Sequence, residues 1–259
     1  MDKYWTFYRI SFCHAIKNYK ALFGLSIFLI ACLLIFAHLW KVAAAKKGLV
    51  SFDPNQLLWY IAFNEWILIA IPDVHSDMEH DLRSGRLAYH LPRPISYLGA
   101  IFFEGAGRLT ANLIILGIIC FGFTWLKIGF LPFSMSAFIL SLLFGVASGI
   151  VGLIFHMAIG LSAFWLKDIT PFTWIWEKFL YLLGGLILPL SVYPLWIQKV
   201  ALFTPFPSIL GARSALTLGF SWHLAFNLAL HLLFWGLFAT TISMVAYRKG
   251  VKIVHIEGG

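Results

Sequence analysis

The residues that could do chemistry are concentrated at the start of one polar segment, residues 73–99. Its first part interleaves acidic and imidazole side chains: Asp73, His75, Asp77, Glu79, His80 and Asp81. On a helix, residues four apart share a face, so the three aspartates could converge on a cation or act as an acid and base pair. A solvated helix whose acids balance Arg83 and Arg86 explains the same pattern, and we expect this second arrangement.

Glu65 is the second candidate, because it lies in an otherwise apolar run. An ionised carboxylate near the centre of a bilayer is costly, so such a residue invites a functional hypothesis. It could line a substrate path or couple transport to protons. A carboxylate that faces neighbouring helices and is hydrogen-bonded there explains the position equally well.

The sequence contains no motif for hydrolysing a nucleotide or for the common hydrolytic reactions. The runs GxxxxGK[ST], GxSxG and HExxH are all absent. Three widely separated cysteines make no CxxC pair, which argues against a disulfide framework or a zinc site. We therefore predict no catalytic residue, no metal site and no bound cofactor in this chain.

The surrounding elements must be membrane helices, because 61% of the 259 residues are hydrophobic and 12% are charged. Apolar runs of about 20 residues recur from end to end, which predicts an all-α integral membrane protein with a single domain over residues 1–259. The net charge of +8 is dispersed between these runs, so we expect no nucleic-acid partner. Six spans are predicted at about 21–40, 56–72, 109–126, 134–166, 174–193 and 223–247.

Two further segments complete the predicted topology. Residues 1–20 carry aromatic side chains near one face at helical spacing, with lysine and arginine available for the other, which indicates an amphipathic interfacial helix. Residues 194–222 are apolar but broken by proline and glycine, which suits short re-entrant or interfacial helices outside the cytoplasm.

Lysine and arginine positions predict that both termini are cytoplasmic. Of the 19 basic residues, thirteen then fall inside. The six outside are Lys41, Lys46, Lys47, Lys127, Lys199 and Arg213. Several tryptophans lie near predicted span ends, as an aromatic belt requires.

The polar segment also contains a motif, Asp81-Leu-Arg-Ser-Gly-Arg86 followed by Leu91, Arg93 and Pro94. It resembles the permease subunits of ABC-2 type exporters, particularly a subgroup with the pattern E-I-R-S-G-R-x-x-x-x-L-x-R-P after the second span. The chain departs from that pattern at Asp81, where the subgroup usually has glutamate. The order of spans resembles the same family over nearly the whole chain.

The resemblance implies a multi-pass permease of the bacterial plasma (inner) membrane that works as a homodimer or heterodimer of permeases. A separate cytoplasmic ABC ATPase would bind ATP and Mg²⁺ and would dock on a coupling helix in residues 73–99. The ATPase-contacting residues would be Glu79, Asp81, Arg83, Gly85, Arg86 and Arg93. A substrate path along the second and fifth spans would include Phe63, Glu65, Trp66 and Ile69.

An aromatic, largely uncharged path suits export of a hydrophobic or amphipathic substrate from the cytoplasm or inner leaflet. Three alternatives from other classes stay open at this point. A membrane enzyme would use the acids of residues 73–81, a secondary transporter would use intramembrane ionisable groups such as Glu65, and a membrane scaffold would need neither.

Overall fold

The computed structural model describes residues 2–45, 53–90 and 94–257, and the regular structure in these ranges is helical. The helices are α1 Asp2–Lys17, α2 Tyr19–Ala45, α3 Pro54–Ala70, α4 Val74–Arg83, α5 Leu87–His90, α6 Tyr97–Ile128, α7 Met135–Leu161, α8 Thr170–Leu183, α9 Leu195–Leu202, α10 Phe206–Ile209, α11 Gly211–Ala215 and α12 Trp222–Glu257. Two 3-10 turns lie at Ser162–Phe164 and Leu190–Val192.

Within the described ranges, five helical stretches are long and apolar enough to cross a membrane. They are Tyr19–Val42, Pro54–Arg83, Tyr97–Ile128, Met135–Phe164 and Trp222–Ile253. This confirms the prediction of an all-helical membrane protein. The sixth crossing stays a prediction, because α8 has 14 residues and is about 21 Å long at 1.5 Å per residue, short of the roughly 30 Å hydrocarbon core.

The predicted fifth span, residues 174–193, is therefore not one continuous helix. Helix α8 ends at Leu183, and Gly185 follows with a left-handed φ of +68°. Gly211 comes so close to this turn that its N–H donates to the Gly184 carbonyl at 2.8 Å. A side chain on Gly211 would lie 2.4 Å from that carbonyl oxygen, so this crossing requires glycine.

Helix α3 is the centre of the bundle and packs against α2, α6, α7 and α11. In the most apolar part of Pro54–Arg83, 83% is buried inside the protein, as expected of a helix that is hydrophobic on all sides. Asp53 caps its start by accepting the N–H of Asn55 at 3.2 Å. Towards that start, the ring of Trp59 packs edge-on to Phe133 in the turn between α6 and α7, with centroids 5.4 Å apart.

Three glycines of α7 allow close packing inside this chain. A Cβ on Gly145 would lie 2.5 Å from the Trp66 ring, and one on Gly152 would lie 2.5 Å from Ile71. Gly149 faces Leu109 of α6. The small-residue stripe thus seats α7 on α3 and α6.

Helix α6 begins at Tyr97, well before the predicted start of the third span near residue 109. Its first turns carry Glu104 and Arg108, which lowered the hydropathy of this stretch below that of a span. Arg108 pairs with Asp77 at 2.6 Å, beside an open cavity of about 900 Å³ between α1, α4 and α6 that Glu104 and Arg108 also line. The charges are therefore accommodated by the protein and not by lipid.

Residues predicted as an interfacial helix form α1, which lies across the start of α6. The backbone of α1 crosses at Gly107, where a Cβ would lie 2.4 Å from the Tyr8 carbonyl oxygen. The Tyr4 hydroxyl accepts the N–H of Ser96 at 3.0 Å, and the Tyr4 ring stacks on Phe103. One face of α1 therefore packs on protein.

Candidate functional site

Helix α4 carries the residues of the predicted docking segment, and its apolar side is pressed against α7. Val74 and Met78 are fully buried. Gly160 of α7 makes this approach possible, because a Cβ there would lie 3.0 Å from the Cβ of Met78 and 3.1 Å from the Cα of His75. The sequence of α4 thus gives one buried edge and one charged edge.

The acids of the charged edge are largely buried and hold arginines that are exposed. Glu79 pairs with Arg83 at 2.8 Å, and Asp81 pairs with Arg86 at 3.1 Å. The arginine side chains are 51% and 52% exposed, against 18% and 16% for the acids. Each acid also accepts a second hydrogen bond, Glu79 from the Ile169 N–H at 3.3 Å and Asp81 from the Tyr97 hydroxyl at 3.2 Å.

The exposed surface formed by His80, Arg83, Gly85 and Arg86 is named the arginine surface here. Gly85 turns the chain after α4 with a φ of +71°. The Arg86 Nε donates to the Ser84 hydroxyl at 3.2 Å, which further limits where this guanidinium can point. Arg93, the remaining predicted contact, lies outside the described residues.

The three aspartates of the polar segment do not converge on one point. Asp77 faces Arg108 and Asp81 faces Arg86 and Tyr97, while Asp73 lies near two histidines. Glu79 and Asp81 pair with Arg83 and Arg86, as expected from the charge balance, but both acids are largely buried and not solvated. A single acid cluster, as a membrane enzyme would need, is not formed by these side chains.

The predicted path residues lie inside the bundle of a single chain. Phe63 is fully buried, with the rings of Phe121 and Phe138 at centroid distances of 4.8 and 5.8 Å. Trp66 donates its Nε1–H to the Leu113 carbonyl at 2.8 Å. Ile69 is half-buried. Their role in a substrate path stays a prediction.

Glu65 is 4% exposed, and no hydrogen bond or ion pair reaches its carboxylate from the described residues. A carboxylate hydrogen-bonded to neighbouring helices, which would explain Glu65 without a function, is thus not observed. Glu65 remains a candidate for a functional role.

A buried polar network around Arg213 was missed by the sequence analysis, which counted this residue only among the basic residues outside the cytoplasm. Arg213 is fully buried in the protein. Its guanidinium donates to the Phe63 carbonyl at 2.9 Å and to the Asn64 side-chain oxygen at 3.5 Å. Its Nε has no hydrogen-bond partner among the described residues. An arginine within an apolar segment was the signal that could have found it.

Asn64 extends this network to the break after α8. Its side-chain NH₂ donates to the carbonyls of Gly185 and Leu186 at 3.2 and 3.0 Å, and its oxygen accepts from the Ser214 hydroxyl. The Tyr60 hydroxyl also donates to the Gly185 carbonyl. The network supplies the partners that irregular backbone needs inside a membrane.

A family model for ABC-2 family transporter proteins matches residues 55–258. The chain belongs to the ABC-2 transporter family. No curated protein matches this ABC-2 chain.

The ABC-2 match extends from the first turn of α3 to the end of α12. It therefore includes α4 with its arginine surface, the glycine stripe of α7 and the Arg213 network, whereas α1 and α2 lie outside it. The resemblance drawn from the polar segment is confirmed at the level of the family. ABC-2 membrane proteins are transport subunits, so this chain is a membrane subunit of a transporter.

Proposed function

We propose that this chain is the permease of an ATP-driven exporter and that a separate cytoplasmic ATPase docks on the arginine surface. The observation that carries the proposal is the arrangement of α4, whose largely buried acids pair with two exposed arginines and so hold them in place. Charges fixed at a rim orient a partner and set its register. Arg93, in the same motif, would extend this contact.

The position of α4 suits a coupling helix. It follows the central helix α3 after a short non-helical joint at residues 71–73 and packs directly on α7. A displacement of α4 by an ATPase would therefore reach two central helices at once. Rigid-body rocking of such helices is a known route between inward-facing and outward-facing states.

Contacts at the α4 end of the bundle support six crossings with both termini on the cytoplasmic side. Helix α1 packs there through Tyr4 and Ser96, and α12 arrives there through the stacking of Tyr247 on Tyr97. Helix α8 starts there as well, next to Glu79. Helix α12 is 36 residues long, about 54 Å, so it starts at the far end. The chain from α8 to α11 must then make the additional crossing.

The lipid-facing helices suit assembly with a second permease, identical or different. In the most apolar parts of α2 and α12, only 17% and 22% are buried within this chain. Large apolar side chains such as Phe234 and Leu237 cover the outside of α12. We propose that the substrate is hydrophobic or amphipathic. It would pass along α3 near Phe63, Glu65, Trp66 and Ile69 when the surrounding helices move apart.

The docking proposal is tested by charge reversal. We would purify the protein from cells that express it with its neighbouring genes, identify the ABC ATPase that co-purifies, and compare Arg83→Glu/Arg86→Glu with wild type. Lys199→Glu, an exposed reversal on α9, is the matched control. Loss of the ATPase, or hydrolysis uncoupled from transport, in the double variant alone is the expected result. Equal ATPase recovery and coupled transport in all three proteins would refute the proposal.

A further inference from the structure

A second group of ionisable side chains lies at the joint between α3 and α4. Asp73 and His75 come from the joint and the first turn of α4, and His156 comes from α7. One potential ligand atom from each of the three residues lies within 4.8 Å of the others. The two imidazole rings meet edge to face, with centroids 4.9 Å apart.

His75 is an unusual residue to bury in this way. It is 7% exposed, and its Nδ1 is buried with no hydrogen-bond partner in the described part of the chain. Buried polar atoms of folded proteins nearly always have a partner, and an exception calls for a reason such as an ion. A coordinated metal ion would provide that partner.

The hydrogen bond of His156 points to the same explanation. Its Nδ1 lies 3.4 Å from the Pro72 carbonyl oxygen. Because a carbonyl can only accept, this bond places the proton on Nδ1 and leaves the Nε2 lone pair free. Histidines that bind metals typically hold their other ring nitrogen in this way, through a backbone carbonyl or carboxylate.

We propose that Asp73, His75 and His156 bind a divalent transition-metal ion, with Zn²⁺ the best match. Two imidazoles and one carboxylate form a donor set that Zn²⁺ prefers, and a fourth position remains for water. Zinc ligands lie about 2.0–2.2 Å from the ion and so roughly 3.4 Å from one another in a tetrahedron. Because the ligand atoms lie within 4.8 Å of one another, they would close by at most about 1.4 Å on binding. The exposed Asp73 gives the ion access.

The bound ion would join the α3–α4 joint to α7 and so stabilise the seating of α4. This stabilising role does not depend on whether an ATPase docks on α4. The sequence analysis predicted no metal site, because His156 is remote in sequence and the acids nearest His75 suggested a different cluster. The fold is needed to bring the third ligand into place.

The experiment uses full-length protein in detergent, purified without a histidine tag and treated with a chelator. Zn²⁺ titration by calorimetry is compared among wild type, His75→Ala, His156→Ala, Asp73→Asn and the control His80→Ala, an exposed histidine of α4. We expect one equivalent to bind to wild type and control, with affinity lower by about tenfold or more in the three ligand variants. A rise in melting temperature with Zn²⁺ should follow the same pattern.

Two results would overturn the site. One is wild-type protein that binds no Zn²⁺ at micromolar concentration. The other is binding that the three ligand variants keep at the wild-type affinity, whether or not the His80 variant binds. If the histidine variants do not fold, Asp73→Asn decides, since its side chain is exposed and the variant should fold normally. Visible absorption of Co²⁺ bound to wild type, with the intensity of a four-coordinate ion, provides an independent reading.

Discussion

The guanidinium of Arg213 lies 2.9 Å from the carbonyl oxygen of Phe63, a contact that joins residues 150 positions apart in the sequence. It connects the short buried helix α11 to the central helix α3. No acidic side chain pairs with this arginine in the described part of the chain, and its hydrogen bonds there all go to backbone and amide oxygens. We therefore expect this cation to stabilise the packing of α11 on α3.

Replacing Arg213 should therefore destabilise the protein strongly. Arg213→Ala would leave a cavity and unpartnered carbonyls, and we expect a loss of about 2–4 kcal/mol in the free energy of unfolding. Arg213→Met keeps most of the volume and should lose less. Denaturant unfolding in detergent measures both. Lys199→Ala, on the exposed side of α9, should change stability little. Equal stability of Arg213→Ala and Lys199→Ala would contradict this account.

Substitution of Gly160 tests the seating of α4. A methyl group at this position meets both the Met78 side chain and the backbone of His75, so Gly160→Ala should cost about 1–3 kcal/mol. The control is Gly24→Ala in α2, where nothing lies within 4 Å of the added Cβ. That change should be neutral or stabilising by up to about 1 kcal/mol, through helix propensity alone. Thermal melts that rank the two variants in the opposite order would show that α4 is not held in this way.

Neutralising Glu65 should separate stability from function. A buried carboxylate without a partner destabilises a fold, so Glu65→Gln should raise the melting temperature. If Glu65 serves the transport path, the same variant should transport more slowly. Glu104→Gln, at a half-buried position on α6, is the control for removing one negative charge. A Glu65 variant that is less stable than wild type would mean that this acid is structural.

Asp168 should make the start of α8 sensitive to acid. Hydrogen bonds from the hydroxyl and N–H of Thr170 lower the pKa of Asp168 below its ordinary value of 3.8, the N–H lying 2.9 Å from Oδ1. Since the folded state favours the carboxylate, the stabilisation is complete above about pH 4 and is lost as the pH falls through the lowered pKa.

Hydrogen exchange at the Thr170 amide is the measurement for this effect. Protection should fall in acid for wild type and should be low at every pH for Asp168→Ala. Asp168→Asn keeps an acceptor without the charge and should lose the pH dependence while retaining part of the protection. An Asn variant with the wild-type pH profile would assign the effect to another group.

The helical membrane fold and the family could be read from the sequence because both rest on local signals. Apolar runs gave α2, α3, α7 and α12 with modest errors at their ends, and the Arg-Ser-Gly-Arg turn identified the ABC-2 resemblance. The start of α6 was missed because Arg108 pairs with Asp77 of α4 and Glu104 lines the adjacent cavity, and hydropathy registers neither arrangement. The short α8 was missed because its end is set by contact with Gly211.

The polar interior was least predictable. Asn64 and Glu65 are adjacent in sequence, yet the fold gives the amide several partners and the carboxylate none. Arg213 was counted only for the side of the membrane on which its segment was predicted to lie, because its buried partners belong to the distant helix α3. The partners of a buried polar group come from segments that are distant in sequence and meet only in the fold. A local sequence pattern therefore does not predict which polar groups will have partners.

The three residues between α3 and α4 act mechanically as a joint. Ile71 is extended, with a ψ of 120°, so no continuous helix connects the arginine surface to the bundle core. A loose joint would absorb a push on α4, whereas a stiff one would pass it on to α3. The Pro72 carbonyl is held by His156, and the proposed ion would tighten the same place. The stiffness of this joint would then determine how much of a displacement of α4 at the membrane surface reaches α3 inside the membrane.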